Sequence, residues 1–168
     1  MTLAEIPAGT AVLLDANVLI YARRGLSAEA RRLLERIALQ EIVGAITTII
    51  LAEFCHRRMM QEAQSLGLAR HQPARELATH PEVVCQLSRY ADDVEDLLAG
   101  QLRLLTIEPV DFRLALELQR HHGLLTNDSL NAACALRSGL SQIATADPHF
   151  ERVPALTVFR PADVALSA

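Results

Sequence analysis

The sequence predicts an α/β fold, an α/β/α sandwich with a central, mainly parallel sheet of four to five strands flanked by helices. Three observations predict it. Short apolar runs alternate with longer stretches of helical periodicity. Gly or Pro stands where most of those helical stretches begin or end. No internal repeat, low-complexity tract or linker interrupts the alternation, and 168 residues suit a single domain over residues 1–168.

The elements follow in order. "AVLL" (11–14) reads as a buried strand, with a turn or helix start at Asp15. In "SAEARRLLERIALQ" (27–40), Ala30, Leu33, Leu34 and Ile37 share one face, and Ser27 is a candidate N-cap. "IVGAI" (42–46) is a short strand. Thr47 or Thr48 then opens a helix that stops at Gly67. Pro73 and Pro81 break the following stretch into several helices, the last ending at Gly100. "LRLLTI" (102–107) is a strand, and Pro109 and Gly123 bracket a helix. A further helix, capped by Thr126 or Asn127, ends at Gly139. "QIATAD" (142–147) and "LTVFRP" (156–161) are the last strands.

Composition narrows the function. Apolar residues make up 51% of the chain, which argues against disorder. The net charge of −4 argues against a broad basic surface for nucleic acid, though not against a local site. All 16 basic residues are Arg, so chemistry that requires a Lys is excluded. The three cysteines, Cys55, Cys85 and Cys134, lack a disulfide-like spacing, and a reducing cytoplasm is expected. The N-terminus has no basic flank before its apolar run, and no run is long enough to span a membrane.

Four carboxylates occupy comparable places. Asp15 follows the first strand, and Glu53 lies near the start of a helix after a strand. Asp128 opens a helix, and Asp147 ends a strand-like run. Ligand sites in open parallel sheets form beyond the carboxyl ends of the strands, where right-handed crossovers would gather all four. Each acid also has an ordinary structural role open to it. Asp15 can cap a helix, Asp128 can favour a helix dipole, Asp147 can open a turn before Pro148, and Glu53 can pair with Arg57. If the four converge they repel, and a hard divalent cation such as Mg²⁺ or Mn²⁺ resolves the conflict. Cys55-His56 and His121-His122 lack zinc-ligand spacing.

With these residues in place, nearly the whole chain resembles the PIN-domain family of metal-dependent ribonucleases, which includes VapC-type toxins of toxin–antitoxin pairs. The resemblance is carried by "LLDANVLIYA", "TTIILAEF", "GLLTNDSLNAACALRSGL" and "QIATADPHFERVPALTVFRP", in that order. It implies hydrolysis of RNA phosphodiester bonds with one or two Mg²⁺ or Mn²⁺ ions. It makes Asp15, Glu53, Asp128 and Asp147 the catalytic and metal-ligating quartet, with Asn17 and Thr145 as supporting polar groups. It also implies RNA as substrate, a cognate antitoxin as partner, and a homodimer. Arg23, Arg24, Arg57 and Arg58 are the candidate RNA contacts. Ala16, Ala146 and Pro148-His149 depart from the usual pattern. They keep open a PIN-fold binding or scaffold module with weak or no nuclease activity. A haloacid-dehalogenase-type phosphatase fits poorly, because Asn17 replaces its second Asp and no Lys is present.

Overall fold

The computed structural model describes residues 1–164. Five strands form one sheet: β1 (Ala11–Leu14), β2 (Val43–Thr47), β3 (Arg103–Leu105), β4 (Gln142–Ala144) and β5 (Thr157–Phe159). Their order is β3-β2-β1-β4-β5, and every pairing is parallel. In the central strand, Leu13 lies opposite Ala45 on one side and Ile143 on the other. Val12, Leu13 and Leu14 are fully buried although they alternate in direction, so both faces of the sheet are covered.

The cover comes from α1 (Ala16–Arg23), α2 (Ala28–Ala38), α3 (Thr48–Ser65), α4 (Pro73–Thr79), α5 (Pro81–Val84), α6 (Arg89–Ala99), α7 (Pro109–His122) and α8 (Thr126–Arg137). α1, α3 and α6 pack together, with α2 on α1, while α7 packs chiefly on α8. The chain runs outward from β1 through β2 to β3. It then crosses back to β4, on the other side of β1, and continues to β5. Right-handed crossovers put helices made on the outward and return runs on opposite faces. The direction reverses between β1 and β4, and a crevice at such a reversal is the usual ligand position in open α/β sheets.

Local chemistry explains the boundaries. Ser27 caps α2 by accepting from the Ala30 amide at 2.9 Å, and Thr47 caps α3 by accepting from Ile50 at 3.1 Å. Gly44 lets α2 seat on β2: a Cβ there would come within 2.7 Å of Ile37 and 2.6 Å of Leu102. Gly123 ends α7 in the left-handed region, at φ 65°.

Two expectations need correction. The apolar runs at 102–107, 142–147 and 156–161 each yield only three strand residues. Their remaining residues leave the ladder; Leu102 and Ile107, for example, lie on either side of β3 and pack against the core. The residue before α8 is Leu125, not Thr126 or Asn127, and it offers no side-chain cap bond. Cys55, Cys85 and Cys134 are all unpaired thiols. Among the described residues, no helix is long and apolar enough to cross a membrane.

Candidate metal centre

The crevice between β1 and β4 is built by a few backbone decisions. β1 ends at Leu14, and Asp15 turns the chain into α1 as its N-cap, with Oδ1 accepting from the Ala16 amide at 2.7 Å. The Asp15 amide donates to the Ala144 carbonyl at 2.9 Å, which continues the β1–β4 register to the strand ends. Asp15 Oδ2 accepts from Thr145 Oγ1 at 2.6 Å and from Asn17 Nδ2 at 2.8 Å. Thr145 Oγ1 in turn accepts from the Asp147 amide at 3.0 Å. A single hydroxyl thus ties the first acid to the last.

Asp147 is not a strand residue. It caps a 3₁₀ turn, Pro148–Arg152, by accepting from the His149 amide at 2.8 Å. The His149 ring folds back, with Nδ1 3.1 Å from Asp147 Oδ1. Asp128 projects from the first turn of α8. One ligand atom each from Asp128, Asp147 and His149 lie within 4.8 Å of one another. Glu53 comes from the second turn of α3, and its Oε1 accepts from Arg57 at 3.3 Å.

Asp15 and Glu53 stand outside that tight group, yet they share its field. Burial lifts the Asp15 carboxyl to about 6; Glu53 and Asp128 push it the same way, and the Thr145 and Ala16 hydrogen bonds resist. Burial likewise lifts Asp128 to about 6, with Asp147 and Glu53 adding repulsion and His149 opposing it. Asp15 and Asp128 therefore lie within the field of neighbouring acids, Glu53 acting on both and Asp147 on Asp128. The donor set fits a hard divalent cation, which would relieve that repulsion. Asn17 Oδ1 is also buried without a hydrogen-bond partner, an oxygen suited to a hydrated ion's water.

The arginines divide. Arg23 and Arg58 both bind Asp93 of α6, at 2.5 and 2.6 Å, and Arg23 also pairs with Asp96. Arg57 is on Glu53. Arg24 is exposed and, with Arg58 and Arg89, lines a cavity of about 490 Å³. Sequence reasoning passed over His149, reading it only as a departure. Its signal was spacing: two residues past Asp147, in a turn opened by that acid. Asp93 was missed because its partners lie 70 and 35 residues away.

This fold and this cluster define an α/β protein with an acid-lined crevice at the switch point of a parallel sheet. A family model for the PIN domain matches residues 12–156, and the chain belongs to that family. It is similar to Ribonuclease VapC2 of Methanocaldococcus jannaschii, 25% identical over 147 residues, covering 88% of this chain and 91% of that protein. It is similar in structure to VapBC2 from Rickettsia felis, solved bound to a DNA fragment from their promoter. That match has TM-score 0.58 and 19% identity, covering 89% of this chain and 98% of the other. VapBC-5 from Mycobacterium tuberculosis, of the VapBC family of toxin–antitoxin systems, is similar at TM-score 0.52 and 19% identity. It too is matched over 89% of this chain and 98% of its own.

Proposed function

We propose that this protein is a divalent-cation-dependent ribonuclease of the VapC kind, hydrolysing phosphodiester bonds in RNA and partnered by a cognate antitoxin. The observation that carries the reading is the gathering of acids at the strand ends: ligand atoms of Asp128, Asp147 and His149 lie within 4.8 Å of one another, and Thr145 ties Asp15 to the turn that carries Asp147. Burial first, and the neighbouring acids second, raise the Asp15 and Asp128 carboxyls to about 6, in keeping with that reading. The names of the similar proteins, a ribonuclease and toxin–antitoxin systems, support the same reading.

Mg²⁺ or Mn²⁺, as one or two ions, would be held by Asp15, Glu53, Asp128 and Asp147. A cation so held supplies charge neutralisation at the phosphodiester and activation of water near neutral pH. The chain's own groups set the geometry. Thr145 and Asn17 fix the Asp15 carboxylate, and Thr145 also fixes the turn that carries Asp147. Arg57 pairs with Glu53 at 3.3 Å and would be available to phosphate if Glu53 held the ion. Arg24, with Arg58 and Arg89 beside it, offers a route for the RNA backbone.

The test is cleavage of defined RNAs by purified wild type and Asp15→Asn, with Mg²⁺, with Mn²⁺ and with chelator. Cleavage that needs the cation and disappears in the variant is the expected result. Cation-independent cleavage, or full activity in Asp15→Asn, overturns the proposal. Co-purification with the product of the adjacent reading frame, and loss of cleavage in that complex, tests the antitoxin.

A further inference from the structure

We propose that Asp128, Asp147 and His149 form a mixed oxygen–nitrogen subsite that takes a first-row transition-metal dication, with Mn²⁺ as its probe, in preference to Mg²⁺. This rests on the reading of the acidic cluster as a cation site and assigns the donor chemistry of one half of it.

The geometry is specific. The three ligand atoms lie within 4.8 Å of one another, the spread of donors around a single ion. Donors about 2.1 Å from a shared ion are separated by roughly 3–4.2 Å, so small side-chain rotations close the group. The residues reach it from two firm supports. Asp128 sits in the first turn of α8, whose next seven residues are all buried. Asp147 and His149 sit in the Pro148–Arg152 turn, which is pinned by Phe150, 1% exposed in the core. The His149 side chain is 44% exposed, yet its Nδ1 lies 3.1 Å from Asp147 Oδ1, so the ring faces the acids along that edge. The ring has one lone pair to give an ion in either neutral tautomer.

The two halves of the cluster therefore differ. Asp15 and Glu53 offer carboxylate oxygens alone, which suit Mg²⁺ and Mn²⁺ alike. The half containing His149 adds imidazole. Mg²⁺ prefers oxygen and sheds its waters reluctantly, whereas a nitrogen donor favours first-row transition metals. Selectivity should thus reside in His149, a side chain outside the acidic quartet.

The experiment uses the full chain. Mn²⁺ binding is followed by EPR of the free ion, ¹⁴N coupling to bound Mn²⁺ by pulsed EPR, and Mg²⁺ binding by calorimetry. In wild type, bound Mn²⁺ shows ¹⁴N coupling. His149→Ala should lose that coupling and bind Mn²⁺ about tenfold or more weakly, with Mg²⁺ affinity changed less than about twofold. His149→Asp, which puts an oxygen donor in place of the imidazole, should bind Mg²⁺ at least as well as wild type while the Mn²⁺ preference stays reduced. Bound Mn²⁺ without nitrogen coupling in wild type, or an equal loss of both metals in His149→Ala, overturns the subsite and leaves the nuclease reading standing. Wild type that binds neither ion overturns both.

Discussion

The Thr145 hydroxyl donates to Asp15 Oδ2 at 2.6 Å and accepts from the Asp147 amide at 3.0 Å, so one side chain spans the ends of β1 and β4 and sets the spacing of two acids. Thr145→Val keeps the shape and removes both bonds. The buried Asp15 then loses support for its charge, and its carboxyl moves further above about 6. Divalent affinity should fall by roughly ten- to hundredfold, with a stability loss of about 1–3 kcal/mol. The acid limb of the cleavage profile should move to higher pH. Calorimetry and a pH–rate profile check this, and Thr145→Ser should restore most of both. An unshifted acid limb would make Thr145 a packing residue only.

Asp15 is a liability to the cation-free fold. Its carboxyl rises from 3.8 to about 6 on folding, so the native state binds the proton more tightly than the unfolded chain. Stability is then highest below about pH 4 and declines as pH rises through about 6, by about 3 kcal/mol for this group. Asp128, raised for the same first reason, adds a smaller contribution in the same direction. Asn at position 15 retains the capping oxygen, and Asn17 can rotate its unpaired Oδ1 toward the new amide. Cation-free Asp15→Asn should therefore melt above wild type at pH 7, the gap closing toward pH 4. It should also lose the rise in Tm that Mg²⁺ or Mn²⁺ gives wild type. Thermal melts at several pH values with chelator measure both, and a variant less stable than wild type at pH 7 contradicts the argument.

The sheet and its order of elements were legible because the strands are apolar on both faces and Gly67, Gly123 and Gly139 stop helices in the left-handed region. Strand lengths were not, since residues such as Leu102 and Ile107 are apolar to pack against the core outside the ladder. The four acids stood out as charges beside apolar runs. The role of Thr145 as a link between two of them depends on β1 and β4 being neighbours, a pairing across 130 residues that no local pattern encodes. The Arg23–Asp93–Arg58 junction escaped for the same reason, and so basic pairs near the acids were read as free RNA contacts.

That junction separates the arginines experimentally. Asp93 is 10% exposed at its side chain and holds Arg58 at 2.6 Å, joining α3 to α6. Arg58→Ala should cost about 1–3 kcal/mol of stability, because Arg23 alone then faces Asp93. Arg24, exposed and free of a salt bridge among the described residues, should behave oppositely. Arg24→Ala should leave stability within about 0.5 kcal/mol while weakening RNA binding and reducing its salt dependence by about one phosphate contact. Urea titration and RNA binding at several salt concentrations read the two effects. Unchanged RNA binding in Arg24→Ala removes it from the substrate path.

The clamp between α7 and α8 supplies a prediction of opposite pH sign. Asp111 is 1% exposed at its side chain and accepts from Arg137 Nε at 2.6 Å and from the Glu108 amide at 2.8 Å. Burial works against its charge, but Arg137 and the Glu108 amide outweigh it and hold the carboxyl below its usual 3.8. A depressed folded value means the contribution is present above the unfolded value and lost as pH falls through the folded one. Arg137→Met leaves a buried carboxylate without its cation, at a cost of about 3 kcal/mol near pH 7, the low end for a broken buried pair because Arg137 is 30% exposed at its side chain. Below about pH 4 the variant protonates Asp111 and recovers, while wild type loses part of its own gain. The difference in urea midpoint between the two proteins should therefore shrink on acidification. A gap that stays constant from pH 7 to pH 4 would mean that Arg137 acts through its packing on α8 and not through the charge of Asp111.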